Sequence, residues 1–192
     1  MSLLYDIKKK FLTFFGDIKW EGICHPFWFV FNAHGYQLRG KHYRAVKKII
    51  KPGDILIRRF EGYVDKFAIP GYFNHAGIYV GDEMVVHAIA EGVIKEDIID
   101  FMRTDHLMIL RPAGVKNKIK AVEQANALIG SPYDFDFNFE KCDRFSCTEL
   151  ICFLYPNVAK PKRRASALWK KVVVADDIVA SKRLKKIWSS LD

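Results

Sequence analysis

Long hydrophobic runs are missing from this chain of 192 residues. No apolar stretch approaches the ~20 residues that a helix needs to cross a bilayer, so no membrane-spanning helix is expected. Lysines 8–10 precede an apolar run of only Phe11 to Phe15. That is too short for a secretory signal, and no export leader is expected. Cysteine is sparse: Cys24, Cys142, Cys147 and Cys152 are the full set. The last three stand five residues apart, unlike the close pairs of zinc sites. Without an export signal they are expected to be free thiols. Internal repeats and low-complexity tracts are absent as well.

Acidic residues are few at both ends. Residues 1–51 hold ten Lys or Arg against three Asp or Glu, and residues 156–192 again hold ten against three. Residues 52–155 reverse the balance, with eleven against sixteen. Basic ends on an acidic centre are expected to meet something anionic, such as a membrane surface; a merely solvated basic surface is the plainer reading. No nucleic-acid partner is expected, and the expected location is cytoplasmic with peripheral membrane association. Apolar residues are plentiful: half the chain is hydrophobic and 14% is aromatic. That excludes a disordered chain and allows a sizeable core.

Residues 2–18 place Leu4, Ile7, Phe11, Phe14 and Ile18 at helical spacing, and such a helix either packs on the domain or lies on a membrane. Residues 23–36 are dense in aromatics, and 41–50 read as a short basic helix. Pro52-Gly53-Asp54 turns into a buried strand, Ile55-Leu56-Ile57. Residues 58–73 read as a long loop, a frequent site of lids. Gly92-Val93-Ile94 and Leu107 to Leu110 read as further strands, with a short helix over 96–103 between them. A helix is expected over 117–129, lined by Ile119, Val122, Ala125 and Ile129 and stopped at Gly130. Alternation over Asp134 to Phe139 favours a short strand, and Asp176-Asp177 begins a last helix.

Two apolar runs flank Gly81-Asp82 between Asn74 and His87, which is a hairpin signal. His75, Gly77 and Tyr79 share one face of the first strand. With an odd loop, such as Gly81 to Glu83, Gly77 falls opposite His87, and the two histidines share a face within ~7–8 Å. A two-residue loop puts them on opposite faces. Further on, Ser146-Cys147-Thr148-Glu149 has capping-box spacing, making Cys147 the first residue of a largely apolar helix. A helix N-terminus and a nearby imidazolium favour a thiolate, lowering a thiol pKa from ~8.5 to as little as ~3.5. Cys147 is therefore expected to be the most reactive thiol, with His75 as base and His87 orienting it. Helix-start N–H groups are placed for an oxyanion. A structural role for a buried cysteine, and a zinc site built from His75, His87 and a cysteine, are the competing readings. Asp54 reads as a turn or cap residue, Tyr133 as cleft or core, Cys142 and Cys152 as loop and core thiols. His25, His34, His42 and His106 have no evident partner.

The order His, His, Cys resembles the permuted papain-like (NlpC-related) superfamily, in which circular permutation reverses the order of cysteine and histidine. The similarity is strongest to YiiX/YaeF-like proteins, with lecithin:retinol acyltransferase-like enzymes as cousins. It is carried by Pro52-Gly53-Asp54, by Ile69-Pro70-Gly71-Tyr72-Phe73 leading into Asn74-His75-Ala76-Gly77-Ile78-Tyr79-Val80-Gly81, by Pro132-Tyr133-Asp134-Phe135, and by Ser146-Cys147-Thr148-Glu149-Leu150. It spans about residues 50–155, more weakly Asp176 to Ser190. The resemblance implies an α+β fold, a small antiparallel sheet or half-barrel packed against helices. It implies Cys147 as nucleophile and His75 as general base. His87 at the third position follows the acyltransferase cousins; YiiX-like members often carry a glutamate there, and Glu91 is the competing third residue. Residues 1–50 are expected to be a basic, aromatic extension and 51–192 the catalytic domain. The implied activity is a cysteine hydrolase of amidase, peptidase or esterase type, working through a Cys147 acyl-enzyme on an acylated small molecule, lipid or peptide. The alternatives are an acyltransferase on lipid-like substrates and a non-catalytic, membrane-associated binding protein with a vestigial site. The reading requires no cofactor and no metal.

Overall fold

The computed structural model describes residues 18–20, 29–31, 36–60, 71–134, 139, 142–163 and 171–192. Residues 2–17 of the expected N-terminal helix, most of the aromatic stretch 23–36, residues 61–70 of the long loop and 135–138 of the alternating segment lie outside the described residues, as do Cys24, His25 and His34. The chain divides into two units, Met1–Gln37 and Leu38–Asp192. In the first, β1 (Ile18–Trp20) pairs antiparallel with β2 (Phe29–Phe31).

The second unit is built on a six-stranded antiparallel sheet that does not close into a barrel. Its strands are β3 (Ile55–Arg59), β4 (His75–Gly81), β5 (Met84–Ile89), β6 (Gly92–Asp97), β7 (His106–Pro112) and β10 (Leu184–Ser189), in the order β10-β7-β3-β4-β5-β6. β8 (Lys162–Arg163) and β9 (Lys171–Val172) form a separate small pair. The helices are α1 (Gly40–Ile49), α2 (Ile98–Phe101), α3 (Val115–Ala127), α4 (Cys147–Leu154) and α5 (Ala175–Val179). This is the α+β architecture expected of a permuted papain-like fold. β10 was not expected: Leu184 to Ser189 is half lysine and polar, and it becomes a strand by pairing with β7. The expected helix over 96–103 shrinks to α2, because β6 continues to Asp97, whose carboxylate caps α2 by accepting from the Ile99 N–H.

Side-chain alternation gives the sheet two unlike faces. Ile55, Ile57, Ala76, Ile78, Val86 and Ala88 pack against Ala121 and Ala125 of α3 and Leu150, Ile151 and Leu154 of α4. Leu56, Tyr79, Val85, Leu107 and Ile109 pack on the other side against Val46 of α1 and Ile98 and Phe101 of α2. An isolated helix of α4's eight residues is marginal in water. Each fully buried leucine or isoleucine contributes roughly 1.5–3 kcal/mol, so Leu150 and Ile151, both completely buried, hold it in place. On α3 the buried line is Ala121 and Ala125, while Ile119 and Ile129 are exposed. The expected apolar stripe is corrected there: small alanines, not isoleucines, let that helix lie close to the sheet, and the side chain of Lys118 leaves no room for a Cβ at Gly53.

The β4–β5 hairpin has the register that aligns its histidines: Gly77 pairs with His87 and Tyr79 with Val85. Asp82 and Glu83 both take left-handed backbone, and a bulge between Tyr79 and Gly81 adds one residue. A two-residue turn plus one bulge residue makes the odd count. Glu83 anchors the tip, its carboxylate accepting from the Tyr43 hydroxyl at 2.6 Å and from Lys47. Asp54 proves to be more than a turn residue. It is fully buried and accepts two hydrogen bonds from Arg111, at 2.8 and 2.6 Å, and one from the Lys51 N–H. At the entry to β4, the Phe73 N–H donates to Asp176 of α5 at 3.0 Å, and the same carboxylate occupies the space a Cβ at Gly71 would need.

Asp54→Ala strands the Arg111 guanidinium and is expected to cost roughly 3 kcal/mol of stability in urea titration; a loss below ~1 kcal/mol would show the ion pair to be incidental. At Gly77 a Cβ would come within 2.8 Å of Val85, 3.0 Å of Phe101 and 3.2 Å of the His87 Cβ. Gly77→Ala is expected to cost about 1–3 kcal/mol by overpacking and to displace the His87 ring, seen as shifted histidine resonances. Unchanged resonances and melting would refute this packing.

Candidate active site

The first residue of β4, His75, and the fourth of β5, His87, meet on the α2 side of the sheet. His75 Nε2 lies 2.8 Å from His87 Nδ1, and the rings are edge-on with centroids 5.1 Å apart. Phe101 of α2 closes over both, 5.9 Å from His75 and 5.2 Å from His87. His87 is buried and His75 half-buried. Burial lowers the pKa of His75 well below 6.5, with the charges of Arg58 and His87 acting the same way. Burial and then Arg58 push His87 down to about 3. Both rings are therefore neutral at physiological pH.

Cys147 starts α4, as the sequence predicts. The Ser146 N–H donates to Glu149 at 2.7 Å, making the glutamate half of the capping box; the Ser146 hydroxyl makes no cap bond to the helix. The half-buried thiol lies near the backbone N–H groups of Ala76, Thr148 and Cys147 itself, which favour its ionised form. It thus sits at the N-terminal end of β4, beside the residue that follows His75. Burial outweighs these donors and the Arg58 charge, and the thiol pKa is raised. The expectation of a lowered pKa is reversed: the helix-start donors are present, but no imidazolium accompanies them and water is largely excluded.

The two histidines share a face, but α4 packs on the opposite face of the sheet from their rings. The thiol has no hydrogen bond to the His75 ring among the described residues; its link to β4 is the backbone N–H of Ala76, the residue after His75. Glu91 lies exposed in the β5–β6 turn. The acidic residue at the histidine pair is Glu96 of β6, whose Oε2 is 3.2 Å from His87 Nε2 and 3.8 Å from Arg58 Nη1. Burial raises the Glu96 pKa, and Arg58 opposes the rise. Arg58 pairs across the strands with His75, donates to the Phe101 carbonyl at 2.8 Å and stacks on its ring at 4.0 Å. Sequence reading missed both residues. Counting register through the short turn that pairs Ile89 with Gly92 places position 96 diagonal to His87 and would have found the first.

Below the cysteine, the Phe145 N–H donates to the Pro132 carbonyl at 3.0 Å, which joins the Pro132–Asp134 block to the cysteine block. Asp134 and Glu149 are buried there. The Glu149 carboxyl is raised, by burial first and also by Asp134, while the Ser146 N–H opposes this. Tyr133 is half-buried and raised by burial and by its Cys147, Glu149 and Asp134 neighbours. Cys142 is exposed, and Cys152 is pushed up to about 12 by burial. His42 accepts from the Arg39 N–H at the start of α1, and His106 lies against Tyr72. Among the described residues no group of three His, Cys, Asp or Glu side chains is arranged to hold a metal ion.

The comparisons with known proteins bear on the fold and the family. The protein has the fold of metalloprotein yiiX from Escherichia coli O157:H7, with a TM-score of 0.60 and 17% identity over 73% of this chain and 97% of that one. No curated protein matches. The family model for permuted papain-like amidases, the YaeF/YiiX or C92 family, matches residues 49–189, a stretch that takes in His75, His87, Glu96 and Cys147. With that match over most of its length, the chain belongs to the permuted papain-like amidase family.

Proposed function

We propose that this protein is a cysteine amidase or peptidase in which Cys147 is the nucleophile, His75 the general base and His87 the residue that orients it. The observation that carries the reading is the placement of Cys147: first residue of a helix, with its thiol near the N–H of Ala76, the residue after a histidine whose ring lies 2.8 Å from that of a second histidine. His87 occupies Nε2 of His75, which leaves Nδ1 for the thiol.

The resting pair is a neutral thiol and a neutral imidazole, so the chemistry is general-base catalysis rather than attack by a preformed thiolate. Sγ bonds to the substrate carbonyl carbon as its proton passes to His75 Nδ1. The N–H groups of Cys147 and Thr148 turn from the sulfur to the oxyanion. The C–N bond then breaks, and the Nδ1 proton leaves with the amine. Water attacks the thioester, giving its proton to His75, and the C–S bond breaks to restore the thiol. An amine or hydroxyl in place of that water makes the same acyl-enzyme an acyl donor, the chemistry of the acyltransferase alternative. Bond formation requires thiol and imidazole to close together around the start of β4, in line with the looser geometry of unliganded active sites.

Incubation with p-nitrophenyl esters and peptide p-nitroanilides, followed by intact mass spectrometry, is expected to show one acyl adduct, at Cys147. Cys147→Ala should abolish it, and His75→Ala should lower kcat/KM by roughly 10²–10⁴. An adduct absent from the wild-type chain, or retained in Cys147→Ala, sinks the catalytic reading in favour of a binding protein with a vestigial site.

The shifted ionisations predict a pH profile. A base whose pKa is lowered stays competent as pH falls through 6.5, and a thiol whose pKa is raised stays protonated as pH rises through neutrality. The kcat/KM profile is therefore expected to be flat across this range. Iodoacetamide should label Cys147 no faster than exposed Cys142 at pH 6. Rapid labelling at pH 6, or a break in kcat/KM near 6.5, would instead reveal a thiolate–imidazolium pair.

A further inference from the structure

Two buried polar atoms face each other on the α2 side of the sheet with no other hydrogen-bond partner among the described residues: His87 Nε2 and Glu96 Oε2, 3.2 Å apart. His87 is 1% exposed. An unpaired buried donor or acceptor is costly, and native structures avoid leaving one. The contact is within bonding distance but off the line of the ring N–H, which a small rotation of either side chain corrects.

Chemistry fixes the direction of that bond. A carboxylate only accepts, so His87 Nε2 must carry the hydrogen. His87 is neutral, so its Nδ1 is then bare and must accept. The atom 2.8 Å from it is His75 Nε2, which must therefore donate. His75 is neutral as well, so its Nδ1 carries no hydrogen. We propose that Glu96 is a positioning residue: through His87 it holds both histidines as Nε2–H tautomers and so keeps His75 Nδ1 bare. Reversing the chain would put the hydrogen on His75 Nδ1 and leave His87 Nε2 bare against a carboxylate, two acceptors face to face. A hydrogen bond to a charged group shifts this balance by about ten-fold or more.

The proposal needs Glu96 charged, and the groups around it act in both directions, with burial the largest influence and the pKa raised on balance. Arg58 reaches across from β3 to within 3.8 Å, and Arg103 adds a second positive charge, while Asp97 and Asp100 and burial oppose them. Nothing in this assignment requires Glu91 or a carboxylate in the place of His87. The histidine at the third position lengthens the relay by one ring, and Glu96 supplies the acidic end from the next strand.

The consequence for turnover rests on reading Cys147 and His75 as nucleophile and base; the tautomer assignment does not. The test is a two-bond ¹H–¹⁵N correlation spectrum of the histidine rings in the ¹⁵N-labelled full chain near pH 7.5. His75 and His87 are assigned by comparison with His75→Gln and His87→Gln. The wild-type chain should show both rings as Nε2–H tautomers. Glu96→Ala should raise the Nδ1–H form of His75 to a detectable share and lower kcat on a p-nitrophenyl ester by about ten-fold, with KM unchanged. Glu96→Gln presents an amide that can donate as well as accept, so it no longer fixes the direction and should also show the Nδ1–H form of His75. A wild-type His75 protonated on Nδ1, or tautomers unmoved by Glu96→Ala or by Glu96→Gln, would each overturn the proposal. A chain that shows the expected tautomers but turns over no substrate leaves Glu96 in its role and removes only the catalytic reading.

Discussion

The register of β4 against β5 is the constraint on which the site depends. Because side chains alternate, a slip of one residue would move His87 through the sheet to the α4 side and leave His75 facing Phe101 alone. The register is set at the far end of the hairpin, where Asp82 and Glu83 in left-handed backbone turn the chain and a single bulge residue restores the odd count. Glu83 then ties that tip to α1 through Tyr43 and Lys47. Contacts roughly a strand-length from the chemistry thus decide which atoms meet within it.

Burial is the second theme. Phe101 shields both rings, and the sheet with α4 shields the thiol, so the cysteine and the two histidines rest uncharged. A thiolate–imidazolium pair would need enough Coulombic gain to offset taking two ions out of water. The protein instead surrounds neutral groups with fixed donors, the N–H groups of Ala76, Thr148 and Cys147. Charge is kept nearby in Arg58 and Glu96, where a guanidinium and a carboxylate offset one another. Under the proposed mechanism, charge that develops during reaction would meet oriented dipoles already in position.

Much of this was legible in the sequence, and the reasons are local. Hairpin, capping box and glycine stop act over a few residues, so β3, β4, β5, α3 and α4 follow from spacing, while the facing of His75 and His87 stays open in the sequence until the bulge between Tyr79 and Gly81 decides it. What escaped depends on partners far along the chain. Asp54 looks like a turn residue until Arg111 arrives from β7. Leu184 to Ser189 looks like surface until β7 offers an edge. Glu96 sits among charged residues with no local mark; only the register through Gly92 shows that it shares a face with His87. The ionisation of Cys147 was misjudged because sequence shows the helix N-terminus but not the depth of burial.

The hydrogen bond from Phe73 to Asp176 spans 103 residues. Synthesis at ~5–20 residues per second puts roughly 5–20 s between the making of its two ends. Throughout that interval the strand that begins with His75 exists without its clasp, and for longer still without β10 at the far edge of the sheet. Cys147 is also made before both. A nascent chain therefore carries His75, His87, Glu96 and Cys147 well before it has made the carboxylate that clasps the start of β4.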